Sequence, residues 1–276
     1  MKLKRIVAIV LFAALLIACG TTNPFTGKKT LSLPGTGNTT LFPTAFQQYN
    51  QVLSESKVVT GTSQSEMIQR IGEKITTAAE RWLDANGHQG YMNDYKWEYT
   101  LIEDDIVNAW AMPGGKVAFY TGILPIANTE ARVAAIMGHE IAHALANHGQ
   151  QRMSAGMIQQ GIALGGNIAL QNNPKTLNVF NQSYGIGSQV LGVLPFSRSH
   201  ETQSDEIGII LMAIAGYNPD QAAELWKRMK ANSNGEAPPE FLSTHPSNDS
   251  RIANLTKLAP SAKEEAKKFG ISSFAN

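Results

Sequence analysis

Apolar positions recur at helical spacing in two strong runs. From about Ser63 to Ala85, Met67, Ile71, Ile75, Ala78 and Trp82 line one face, and Ser63 with Glu66 offers a capping box. A second helix is expected to start at Asn128 or Thr129, either of which can cap it, and to end before Gly149. Between the two runs the period drops towards 2. Trp97, Tyr99 and Leu101 alternate with polar neighbours as in a half-buried strand. Two short apolar runs, 108–112 and 116–120, flank Pro113-Gly114-Gly115 and predict a hairpin or paired edge strands. Three further helices are expected at about 199–215, 219–231 and 248–258. Residues 150–196 are apolar but broken by Gln159, Gln160, Asn167 and Gln171. That stretch fits a helical hairpin, a mobile lid or a membrane-facing flap better than a membrane span. The pattern as a whole is α+β and mainly helical with a small sheet, as one domain over 46–276 without internal repeats.

The N-terminus follows a different rule. Lys2, Lys4 and Arg5 precede an unbroken apolar run from Ile6 to Ala18. Thirteen residues are too few to span a bilayer as a helix, which takes about 20. A basic start with such a run reads as a secretory signal over 1–18. Its exit, Leu16-Ile17-Ala18-Cys19, resembles the lipobox of bacterial lipoproteins, which makes Cys19 the expected lipidation site. Lipid chains would anchor the protein stably to a membrane. Gly20, rather than Asp, follows the cysteine, which resembles an outer-membrane address in bacteria with two membranes. Residues 19–45, rich in Thr, Gly, Asn and Pro, are expected to form a tether, with a turn at Asn23 to Lys28.

Composition adds two exclusions. Cys19 is the lone cysteine, so intramolecular disulfides are ruled out. A net charge of +1, falling to −2 without the three N-terminal positive charges, gives no reason to expect a nucleic-acid partner.

The chemistry centres on His139-Glu140-Ile141-Ala142-His143 in the second helix. Residues four apart share a helical face, with Cβ atoms about 5–6 Å apart, so two imidazoles can meet one Zn²⁺. Glu140, one step round, can reach a metal-activated water without ligating the metal. A catalytic zinc needs a third protein ligand and an open fourth position. Candidates lie in 196–208. Glu201 and Asp205 are four apart and share a face, whereas His200 lies about 100° round from Glu201. Spacing alone does not choose among them.

The pair of motifs, H-E-x-x-H followed later by Arg198-x-x-Glu201-x-x-x-Asp205, closely resembles the zinc metallopeptidases of peptidase family forty-eight, the HtpX and CAAX prenyl endopeptidase type. The resemblance extends to Asn108-Ala109-Trp110-Ala111-x-Pro113-Gly114-Gly115, Ala215-Gly216-Tyr217-Asn218-Pro219, Thr244-His245-Pro246 and Arg251. The turn at Asn23 to Lys28 is similar to the start of the family's exported lipoprotein members, here without C-terminal repeats. The resemblance implies a gluzincin-like domain with a sheet edge beside the active-site helix and one Zn²⁺ per chain. It further implies Glu201 as third ligand, Glu140 as general base and Asp205 as a second acidic group able to donate a proton.

On this reading the protein hydrolyses peptide bonds. Its expected substrates are unfolded or misassembled envelope proteins, and its expected partner is the envelope assembly machinery. The expected location is the cell envelope, lipid-anchored at the outer membrane and facing the periplasm. His245 and Arg251 are the candidate oxyanion donors. His245 has a competing role as an inhibitory ligand at the open zinc position, which would make the resting enzyme latent. An extended peptide is expected to add along an edge at Val117 to Thr121, with Asn108, Gly114, Gly115 and Val117 as substrate-binding positions. The rival class is an envelope chaperone or binding module with structural zinc, which would have no use for Glu140.

Overall fold

The computed structural model describes residues 20–188, 194–232, 240–246 and 249–276. The expected signal at 1–18 and Cys19 lie outside these.

The sheet has four strands in the order β3 (Val58–Val59), β4 (Glu98–Ile102), β6 (Lys116–Tyr120), β5 (Ala109–Met112). β5 and β6 form the expected antiparallel hairpin, with Ala111 opposite Val117, while β4 and β6 run parallel. Gly114 and Gly115 turn the hairpin at φ +83° and +97°, a region most side chains avoid. A Cβ on either would also strike the rings of Phe46 or Trp97.

The edge expected at Val117 to Thr121 is interior: β6 is paired on both sides and Val117 is fully buried. The edge next to β6 is β5, so Val117 is a core residue and cannot bind an added strand.

The helix α2 (Ser63–Ala85) packs Ile68, Ile71, Ile75 and Ala78 into the core, and Gly72 lets the Tyr99 ring lie against its backbone. Its cap is Thr62, which exchanges hydrogen bonds with Ser65, one residue earlier than the Ser63–Glu66 pair expected. Helix α3 (Glu130–Leu145), capped by Thr129, runs through the centre with every side chain from Val133 to Leu145 buried. It ends at Asn147, whose left-handed φ of 55° breaks the axis before α4 (His148–Leu170). Helix α4 and α5 (Pro174–Ser188) make 150–188 a helical hairpin, tied by reciprocal amide bonds between Asn167 and Asn181. Helices α6 (Leu194–Ile214), α7 (Asp220–Asn232), α8 (Glu240–Thr244) and α9 (Asp249–Lys268) complete the order, and α3, α6, α7 and α9 pack on one another. Helix α9 runs through Pro260 and ends ten residues beyond the expected 258. Among the described residues no helix is long and apolar enough to cross a membrane.

Residues 20–45, expected to form a tether, are folded. β1 (Gly20–Thr22) pairs with β2 (Lys29–Leu31), and α1 (Asn38–Ser54) buries Leu41, Phe42 and Ala45. Phe25 at the tip of the turn stacks on Trp82 at 4.7 Å. Ser32 and the Leu33 N–H bond to Gln150 and Ser154 of α4. Composition suggested flexibility, but three apolar side chains and one aromatic stack suffice to hold the segment down.

Candidate metal centre

The site begins with two glycines. Gly138 and Gly208 meet where α3 and α6 cross; a Cβ on either would lie 2.8 Å from the other's backbone. Such close approach sets His139 and His143 on α3 against Glu201 and Asp205 on α6. His139 Nε2 and His143 Nε2 lie 3.1 Å apart. Glu201 straddles them, Oε2 at 3.3 Å from the first and Oε1 at 3.2 Å from the second. The ligand atoms of a tetrahedral zinc with bonds of about 2.0–2.1 Å stand about 3.3–3.4 Å apart. Two imidazole nitrogens facing one another with an anionic oxygen between them need a cation or protons in common. His139, His143 and Glu201 are thus placed, in chemistry and spacing, to hold a zinc-type ion.

His245 completes the set. It follows α8, packs on the Phe241 ring at 4.7 Å, and brings Nδ1 to 2.7 Å from Glu201 Oε2 and 3.1 Å from His139 Nε2. The His245 N–H donates to the Phe241 carbonyl, which fixes it to that short helix. The Phe241 N–H of that helix donates to the Val107 carbonyl just before β5. All four donor groups lie within 4.8 Å of one another.

Glu140 points to the same space. Its Oε2 accepts from the Ala111 N–H of the edge strand at 3.1 Å. Its Oε1 is buried, makes no hydrogen bond and faces His245 Nε2 at 3.4 Å. Burial strips the carboxylate of water and raises its pKa, offset in part by His245 and His139.

Two different supports stand behind the histidines. His139 Nδ1 donates to Asp205 Oδ1 at 2.9 Å, and Arg251 grips both oxygens of Asp205 at 2.6 and 2.7 Å. The Arg251 guanidinium lies 3.5 Å over the Trp226 ring. Burial and Arg251 favour a neutral His139, but its contacts with Asp205 and Glu201 prevail and push it up to about 9. His143 Nδ1 instead meets His148 Nδ1 at 2.9 Å, and burial holds His143 well below its ordinary range despite Glu201. His148 stacks on His200 at 4.1 Å; burial and that neighbour hold it down to about 3. Burial would raise Glu201, but three imidazoles hold its carboxyl far below the usual range.

The sequence-derived residues therefore separate. Glu201, not His200, faces the histidine pair; His200 lies behind them against His148 and Gln151. Asp205 is behind His139, with both oxygens engaged and its pKa held low by Arg251 against the pull of burial, so it has no proton to donate. The N–H groups of Arg251 turn to Asp205, Glu201 and the Pro246 carbonyl rather than to a substrate. Gly114 and Gly115 turn their carbonyls to β4, accepting from Lys96 and Glu98. Asn108 is buried, and its Oδ1 accepts from the Ala109 N–H at the start of the edge strand. His148, Gln203, Trp226, Gly138 and Gly208 also build the site, and none was a candidate from sequence. For the glycines, a small residue beside each motif is the available signal.

Two histidines one helical turn apart, a glutamate from a second helix and a buried glutamate between them define a metallopeptidase site of the gluzincin type. The profile of Peptidase family M48 matches residues 64–259, and the chain belongs to that family. Mitochondrial metalloendopeptidase OMA1 of Saccharomyces cerevisiae is 32% identical over 219 residues, covering 76% of this chain and 60% of that protein. OMA1 of Schizosaccharomyces pombe is 37% identical over 174 residues, 62% of this chain and 49% of the relative. The beta-barrel assembly-enhancing protease of Escherichia coli is 27% identical over 169 residues, 59% and 34%. The chain thus spans between about a third and three fifths of the length of these relatives.

Proposed function

We propose that the protein is a zinc-dependent endopeptidase that cleaves unfolded or misassembled cell-envelope proteins. The observation that carries this is Glu140: a buried carboxylate pinned through one oxygen to an edge strand, its other oxygen bare and aimed between the metal-binding groups. When bound, zinc polarises a water and a carbonyl oxygen and brings the pKa of that water down towards about 7. Glu140 takes the proton of the attacking water and passes it to the leaving amine. A carboxylate raised by burial suits both transfers. An extended peptide adds to the edge strand β5 through the outward carbonyls of Ala109 and Ala111, whose N–H groups are taken by Asn108 and Glu140. Asn108 and the Gly114-Gly115 turn keep that edge in place. Asp205 and Arg251 position His139 and Glu201 rather than touch the substrate.

His245 supports latency. Its Nδ1 stands among the other donors where a fourth ligand would, and withdrawing it opens the site and frees it to donate to the oxyanion. The same closure favours one rival reading, a structural four-ligand zinc in an envelope chaperone. Casein digestion separates the two: chelator-sensitive cleavage that rises in His245→Ala is expected, and none in either protein would leave the structural reading. Names of relatives such as the beta-barrel assembly-enhancing protease support an envelope location, with the assembly machinery as partner. Cys19 would carry the lipid anchor at the outer membrane. Release of Cys19→Ser from the membrane fraction is the expected result; retention would remove the anchor from the account.

A further inference from the structure

A chain of hydrogen bonds, partly buried at the turn and fully buried at its inner end, runs from the turn after β1 to His143, and its direction is set by a group that can only donate. The Phe25 backbone N–H lies 2.8 Å from the Asn23 side chain, so the atom it meets is the carbonyl oxygen Oδ1. Asn23 must then present its NH₂, which donates to Gln203 Oε1 at 3.3 Å. Gln203 is oriented a second time by its own Nε2, 3.3 Å from Thr26 Oγ1. With Oε1 as acceptor, the 2.7 Å contact from His148 Nε2 carries a proton on that nitrogen. A neutral imidazole has one N–H, so His148 Nδ1 is bare and accepts. Ser204 Oγ lies 3.3 Å from that bare nitrogen and can donate to it. The other group there is His143 Nδ1 at 2.9 Å, which must hold the proton. His143 Nε2 is then left with its lone pair, directed at Glu201 and His139.

We propose that His148, oriented by Gln203 and the Asn23 turn, is a positioning residue that fixes the tautomer and ring plane of His143 for the metal. The proposal rests on His143 being a ligand, and goes beyond it. Ligand histidines ordinarily donate to a carboxylate, a backbone carbonyl or water. Here the acceptor is a second imidazole, and its accepting state is enforced by the N-terminal hairpin. Folding of residues 23–26 and readiness of the metal site become one hydrogen-bonded event.

Zinc competition against a chelating dye and ¹⁵N spectra of labelled histidines test this together. In zinc-free wild type, His143 is expected as the Nδ1–H tautomer and His148 as Nε2–H. His148→Ala and His148→Gln are expected to bind zinc about 10–100-fold more weakly, the usual cost of losing such a partner. His148→Asn, whose Oδ1 replaces Nδ1 as an acceptor, is expected to stay within about three-fold of wild type. A packing role would instead weaken Asn and Ala alike, and that result overturns the proposal. So does an Nε2–H His143 in the wild-type spectrum, which needs no variant to fold. Wild type that takes up no zinc would overturn the metal-site reading itself, whereas stoichiometric zinc with an unaffected His148→Ala overturns the positioning role alone.

Discussion

His139 and His143 stand one turn apart on the same helix and face the same space, yet the protein supports them by opposite means. Behind His139 is a charged clamp: a buried aspartate, held in two places by an arginine lying on a tryptophan face. Behind His143 is a file of neutral groups, His148, Gln203 and Asn23, ending at a backbone N–H. The clamp uses charge to fix a ring and loads it with a proton when metal is absent. The neutral file uses hydrogen-bond polarity alone and leaves its ring unprotonated. Burying a charged pair is costly, so it holds only while both partners are present. A neutral file costs less to bury and less to break.

The largest expected effect comes from unpairing the clamp. Asp205→Asn leaves the buried Arg251 charge to its longer 3.4 Å contact with Glu201 and should cost about 3–5 kcal/mol in denaturant unfolding of the zinc-free protein. Gln203→Leu, which unpairs the neutral His148 N–H, should cost about 1–3 kcal/mol in the same measurement. Equal losses would erase the distinction between the two supports.

A subtler effect separates them by protons. His139, pushed up to about 9, holds a proton at pH 7 in the zinc-free protein, whereas His143, held low, does not. Metal must displace that proton, so zinc uptake at pH 7 should release about one proton per ion. The sign follows: affinity climbs as pH rises towards about 9 and levels off above it. Calorimetry in buffers of different ionisation enthalpy counts the proton. Asp205→Asn should lower the count, while Gln203→Leu should leave it unchanged.

This asymmetry also marks what could be read in the sequence. The metal-binding face was legible because His139, Glu140 and His143 share one helix, where spacing alone fixes geometry. Glu201 and Asp205 were legible as a pair for the same reason. The choice of Glu201 over His200 came from family resemblance, since only the packing of α6 on α3 turns one to the site and the other behind it. His148 was not legible: it lies on a new helix, and the left-handed Asn147 is what brings it beside His143. The edge strand was misplaced by one strand because β4 pairs with β6 across an intervening segment, a non-local choice that alternation cannot show. The N-terminal hairpin was read as a tether because its composition is that of a loop, although its Asn23 turn joins the site.

All of this depends on Glu140 acting on a metal held by its neighbours. The direct measurement is zinc content alongside casein cleavage in purified Glu140→Gln. One zinc per chain with cleavage reduced by about 10²–10⁴-fold, the usual contribution of a general base, is the predicted result. Cleavage at the wild-type rate, or a variant and wild type both empty of zinc, would contradict the account.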